Sequence, residues 1–333
     1  MTTLVTSFDM AGAGDVSALD GWLRELPDKG AVRRLVVFAK TEGHHAPNDF
    51  SRDLLKLKLD TLFRDHGLQD QAMSMLAIGS EGVGSPKGFA FAELAGGSTS
   101  GPERLAMGTA RSEVVPLEEI GHLPLLDRVT DTARAAMRDA GLAPDQVQLL
   151  FIKSPLVAAR HPRATAANST MHRGRAISAL GGGVALGEVD RGRLAEEMIA
   201  RDLSIHTRRV QGVTGAEITQ VEVVALGNRP GAGGDLRVAT TLTQDILDQR
   251  SLRRLLREQG FTFDADGELL DGDRIQALIA KTMVAEDGMV RGARTTVYTS
   301  GWAPESHIRA AASGVLGSLL GHLRFFVSAD AVH

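Results

Sequence analysis

Three lysines stand where short apolar runs stop: Lys40 closes "RLVVFAK", Lys153 closes "VQLLFIK" and Lys281 closes "IQALIAK". An arginine follows each, near or within a helix-like stretch: Arg52, Arg175 and Arg309. Each unit then carries a strand-like run ending in a turn of small residues, "AIGSE" from Ala77, "VTGAE" from Val213 and "SADAV" from Ser328. Amines, guanidinium forks and a hydroxyl are the parts needed to attack a carbonyl. A serine beside a neutral lysine supplies a nucleophile and its base, and arginines suit carbonyl oxygens or a developing anion. Lysine ordinarily titrates at about 10.4, so it becomes a base at neutral pH only where its charged form is disfavoured. Several cations facing one desolvated pocket would do that. Such a pocket takes a compact, acidic or anionic substrate. The intervals differ among the units, so the spacing alone fits ordinary strand-end lysines and helix-surface arginines as well.

The elements that must position these side chains alternate along the chain. In the first block "RLVVFAK" reads as a buried strand, and Asn48 is an N-cap candidate for the helix after it. Leu55, Leu59, Leu62 and Phe63 share one face of that helix, Gly67 ends it, and "MSMLAIG" is a second strand. The second block has a strand near "LAMGTAR", a helix closed by Gly141 and the strand "VQLLFIK". "MHRGRAISALGGGVALGEV" and "DRGRLAEEMIARDL" read as helical or turn-interrupted, and "EITQVEVVALG" alternates as a half-buried strand does. In the third, "DLRVATTLT", "IQALIAK", "MVRGARTTVYT" and "LRFFVS" read as strands, with helices at "LDQRSLRRLLREQG" and "PESHIRAAASGVLGSLLGH". Turn-rich stretches at 95–103 and 228–235 set the boundaries, giving repeat domains 1–103, 104–234 and 235–333. The expected fold is α/β, with three similar units.

Composition narrows the function. A net charge of -4 gives no basic footprint for nucleic acid. The absence of cysteine excludes disulfides, thiolate nucleophiles and Cys-ligated metals. No apolar run reaches the roughly 18–20 residues needed to cross a bilayer, so no membrane partner is expected. "MTTLVTSFDMAGAGD" lacks the pattern of a signal peptide, which makes the cytoplasm the expected location. "AGAGD", "GVGSPKG" and "RPGAGGD" lack the full dinucleotide or P-loop pattern and read as turns. His44 and His45 are adjacent loop histidines without matched ligands nearby.

The segments "AKTEG", "NDFSRD", "SEGVGSP", "FIKSPLV", "RAISALG", "AKTMVAEDGMVRGARTT" and "HIRAAASGVLGSLLGH" resemble the ring-opening cyclic amidohydrolases, the cyanuric acid hydrolases and barbiturases. The likeness runs from about residue 35 to the end. It implies three similar domains about a pseudo-threefold axis, with the active site on that axis and a lysine, an arginine and a serine from each domain. The matching residues are Lys40, Lys153 and Lys281, and Arg52, Arg175 and Arg309. At the serine positions Ala77 and Val213 stand in the first two units, and only Ser328 remains. The resemblance implies Ser328, Lys281, Lys153 and Lys40 as catalytic residues. It puts the three arginines, Ala77, Ile78, Val213, Thr214 and Ala329 against the substrate. No cofactor is implied, and "SADAVH" lacks the glycine-rich tail that helps form the family's metal site, so a metal is not expected. A homo-oligomer is. Ser80 and Thr214 lie near the vacant serine positions, but strand alternation points them away from the lysine face.

Three functions remain open on the residues. The first is a hydrolase of small cyclic amides or imides with a Ser328–Lys281 dyad. The second is a serine-independent cyclase, isomerase or hydrolase in which Lys40 and Lys153 act as acid and base. The third is a non-catalytic binder of a small anion.

Overall fold

A computed structural model describes residues 2–43, 49–79, 82–96 and 101–333. The first sheet takes the order β1-β4-β2-β3, from β1 (Thr2–Asp9), β2 (Val32–Thr41), β3 (Ala72–Ile78) and β4 (Lys87–Leu94). Helix α1 (Ser17–Arg24) precedes β2, and α2 (Ser51–Asp65) joins β2 to β3. Strand β2 is buried along nearly its whole length, as a continuous apolar run demands of a strand covered on both faces. Leu55, Leu59, Leu62 and Phe63 are the buried face of α2, and Gly67 follows at φ 69°. The expected cap, Asn48, lies outside the described residues; the helix begins at Ser51, whose N–H donates to Asp49 Oδ1 at 3.1 Å.

The same order recurs in the second sheet, β5-β8-β6-β7, from β5 (Glu103–Val114), β6 (Val147–Pro155), β7 (Val210–Gly215) and β8 (Gln220–Pro230). Helices α3 (Leu123–Ala140) and α4 (Met171–Leu186) connect β5 to β6 and β6 to β7. They share a core in which Leu126, Val129, Ile177 and Leu180 meet Leu150 and Ile152 of β6. Each such side chain contributes roughly 1.5–3 kcal/mol over leaving it exposed. Gly181 allows the close helix approach, since a Cβ there would lie 2.6 Å from Val129 Cγ1. Strand β8, read as half-buried, is buried from Val221 through Gly227. It lies inside the sheet, antiparallel to both β5 and β6, and both of its faces are covered. The segment 190–203 resolves into short 3-10 turns at Arg191–Arg193 and Glu196–Met198.

The third block holds α5 (Gln249–Glu258), β9 (Ile279–Thr282), β10 (Met289–Val290), β11 (Ala293–Arg294), α6 (Pro304–Leu320) and β12 (Phe326–Ala329). Strands β9 and β12 pair in parallel. Two expectations fail here. "DLRVATTLT" forms no strand: around Val238 the backbone pairs with a side chain instead, through Asn228 Nδ2 to Val238 O (2.7 Å) and Val238 N to Asn228 Oδ1 (3.0 Å). "MVRGARTTVYT" is not one strand: Met289–Arg294 form a hairpin, β10–β11, because Arg291 and Gly292 take φ of 53° and 79°, as a type I′ turn requires, and 295–299 lie outside both strands.

The chain forms two compact units. One comprises Met1–Thr3, Glu93–Thr240 and Ala331–His333; the other comprises Leu4–Ala92 and Thr241–Asp330. The architecture is α/β with mixed sheets. Among the described residues no helix is long and apolar enough to cross a membrane.

Candidate active site

One registration recurs in all three blocks. Lys40 on β2 stands opposite Ala77 on β3, Lys153 on β6 opposite Val213 on β7, and Lys281 on β9 opposite Ser328 on β12. Each pair lies on parallel neighbouring strands, about 4.8 Å apart, and in-register side chains leave such strands on the same face. A strand-end lysine therefore faces the serine position every time, and only the third block fills that position with a hydroxyl.

Ser328 lies in the unit Leu4–Ala92 with Thr241–Asp330. It is 7% exposed, and its Oγ has no hydrogen-bond partner among the described residues. A buried hydroxyl without a partner carries a desolvation penalty of about 1–3 kcal/mol, which native structures accept where the group has another task. Lys40, in the same unit, donates from Nζ to the carbonyl oxygen of Val327, the residue before the serine. It is thereby fixed over the strand that carries Ser328. Arg309, in the second turn of α6, is 3% exposed and reaches Ser306 Oγ at 3.5 Å through Nη2. Lys281 and Arg52 are half-buried, and Ala329 is buried beside Val284 and Ile308. Ile78, buried at the end of β3, stands opposite Thr41. Asp330, two residues past the serine, is buried at φ 64°, a left-handed conformation that non-glycine residues adopt reluctantly. Burial, then the charges of Asp330, Glu286 and Glu305, push the Tyr298 hydroxyl above its ordinary range.

Lys153, Arg175, Val213 and Thr214 belong to the other unit. Lys153 is 1% exposed and its Nζ is ion-paired with Glu217 Oε1. Sequence reasoning missed Glu217. The signal was there in "VTGAE", where a carboxylate sits four residues after the serine position and Gly215 permits the chain to fold back. Glu222 of β8 stands opposite Lys153 on its other side and accepts from Arg111 Nε at 3.1 Å. Val213 offers Lys153 only an apolar wall. Thr214 Oγ1 donates to Ser154 O at 2.9 Å, which spends its hydroxyl on the backbone of β6. Arg175 is held against β7 because Gly212 has no side chain: a Cβ there would lie 2.6 Å from Arg175 O.

His44, His45 and Ser80 lie outside the described residues. Among the described residues no group of three or more His, Asp or Glu side chains is placed to hold a metal.

Residues 4–333 match the family model described as amidohydrolase ring-opening protein. The chain is 35% identical to a cyanuric acid amidohydrolase of Methylobacterium sp. strain 4-46, covering 97% of this chain and 90% of that one. It is 28% identical to barbiturase 1 of a Nocardioides species, covering 93% and 90%. A cyanuric acid hydrolase structure described as an innovation by structural concatenation superposes with a TM-score of 0.88 at 28% identity, over 99% of this chain and 94% of that one. The Azorhizobium caulinodans cyanuric acid hydrolase structure gives 0.86 at 27% identity, over 98% and 93%. With residues 4–333 matched by the family model, the chain belongs to the ring-opening amidohydrolases.

Proposed function

We propose that the protein hydrolyses a small, planar, acidic cyclic amide or imide of the cyanurate or barbiturate class, with Ser328 as nucleophile and Lys281 as its base. The observation that carries this reading is the pairing of Lys281 with a buried serine whose hydroxyl has no partner among the described residues. Ser328 Oγ attacks a ring carbonyl carbon as its proton passes to Lys281 Nζ, and a C–O bond forms. Collapse of the tetrahedral intermediate breaks the ring C–N bond, and the lysine returns the proton to the departing nitrogen. Because the substrate is a ring, that nitrogen stays tethered to the acyl group. Water, deprotonated by the same lysine, then releases the opened product.

Lys40, Lys153 and the arginines Arg52, Arg175 and Arg309 serve in this scheme as donors to ring oxygens and as counter-charges for the anion. Ala77, Ile78, Val213, Thr214 and Ala329 supply backbone and apolar contacts to the ring. The protein works without a cofactor, as a homo-oligomer in the cytoplasm. The test is the ultraviolet absorbance of barbituric acid and cyanuric acid during turnover. The wild type removes it and Ser328→Ala slows the loss by about 10⁶-fold, the scale on which deletion of a nucleophilic serine acts. Undiminished turnover by Ser328→Ala would overturn the assignment.

A further inference from the structure

The Lys153 end of β6 is built differently from its two counterparts, and the difference has a chemical consequence. Where Lys281 faces a hydroxyl, Lys153 faces the isopropyl group of Val213. Lys153 Nζ is ion-paired with Glu217, and both side chains are almost wholly buried, 1% and 4% exposed. The fold-back depends on Gly215: a Cβ at that residue would stand 2.0 Å from Glu217 Oε2. Glu222, the cross-strand neighbour of Lys153 on β8, is engaged by Arg111. The row therefore balances two cations with two carboxylates, and Glu217 is the carboxylate that answers Lys153.

We propose that Glu217 is a positioning residue for the ring-opening reaction, which holds Lys153 as a fixed cationic hydrogen-bond donor and keeps it from acting as a base. The inference rests on the functional reading above and deepens it. In that state Lys153 presents a permanent positive charge to an acidic ring. A buried ammonium keeps its proton only while a carboxylate compensates the lost hydration; without one, burial favours the neutral amine. Removing the carboxylate while keeping its shape thus turns a constant donor into one that switches off as pH rises.

The experiment compares wild type, Glu217→Gln and the conservative Glu217→Asp by kcat/KM on barbituric acid and cyanuric acid from about pH 6 to about pH 10. The lysine side-chain carbon resonances of the same proteins are followed over the same range; the chain has seven lysines, few enough to resolve. The expected result is a new alkaline limb for Glu217→Gln, falling about tenfold per pH unit. A lysine resonance, absent in Lys153→Met, titrates over the same interval, and Glu217→Asp restores most of the wild-type profile. A purely structural role would lower activity at every pH without a new limb, and an unchanged lysine titration in Glu217→Gln overturns the proposal. If Glu217→Gln does not fold, the wild-type resonances decide: a Lys153 resonance, assigned by its loss in Lys153→Met, that stays untitrated to about pH 10 supports the pairing, and one that titrates below that pH refutes it. If the wild type opens neither ring, the functional reading fails, and the resonances alone decide whether Glu217 holds the charge of Lys153.

Discussion

Replacing Ser328 with alanine deletes a hydroxyl that is buried and finds no acceptor or donor among the described residues. The folded chain carries that group's lost hydration, about 1–3 kcal/mol, without a compensating bond. Alanine keeps the Cβ, so it opens only an oxygen-sized gap, and the dispersion energy forfeited around that gap is roughly 0.5 kcal/mol. The difference predicts a gain of about 1 kcal/mol, which in a chain of this length raises Tm by about 1–3 °C. Thr214→Val is the matched control. It removes a hydroxyl that bonds Ser154 O at 2.9 Å and should lose about 1 kcal/mol. The assay is thermal unfolding of both variants beside wild type. Opposite signs are expected for the two variants. A Ser328→Ala variant that melts several degrees below wild type would refute the reasoning, because the hydroxyl would then be holding structure together.

Other outcomes follow from particular interactions. Lys40→Met removes the donor to Val327 O and should lower kcat on the order of 10²-fold, measured by steady-state kinetics; full activity would remove Lys40 from the machinery. Gly108→Ala would drive a Cβ to 2.1 Å from Ala136 O of α3, so denaturant unfolding should register a loss of about 3 kcal/mol, or the variant will not fold. Asp248 caps α5; its carboxylate accepts from Gln244 N first, then from the Ser251 side chain and backbone, and its pKa falls to about 2. A depressed folded-state pKa contributes stability above the unfolded value near 3.8, and that stability is lost as pH falls toward 2. Asp248→Asn should accordingly flatten the acid limb of a stability-against-pH curve; an unaltered limb would count against the cap.

Much of the positioning framework was legible in the residues because it rests on local patterns. Apolar runs ending in lysine became β2, β6 and β9, and the small-residue turns after β3, β7 and β12 put Ala77, Val213 and Ser328 in register with them. Leu55, Leu59, Leu62 and Phe63 announced the buried face of α2 by spacing alone. What pattern reading missed depends on non-local pairing. "EITQVEVVALG" alternates in sequence, yet β8 is an inner strand and every residue from Val221 to Gly227 is covered. "DLRVATTLT" has strand composition, but an Asn228 side chain takes the backbone bonds around Val238 that a ladder would have used. Glu217 looked like one more turn residue; only the fold-back at Gly215 brings it to Lys153.

Rapid quenching during turnover, followed by mass spectrometry of the digested protein, tests the nucleophile directly. Since the departing nitrogen remains tethered, the trapped ester must add the full mass of barbituric acid to the peptide that carries Ser328. The account predicts that adduct in wild type, its slowed formation in Lys281→Met, which lacks the base that takes the serine proton, and its absence in Ser328→Ala. Turnover by wild type with no adduct on that peptide at any quench time, together with ring opening that survives in Ser328→Ala, would contradict it.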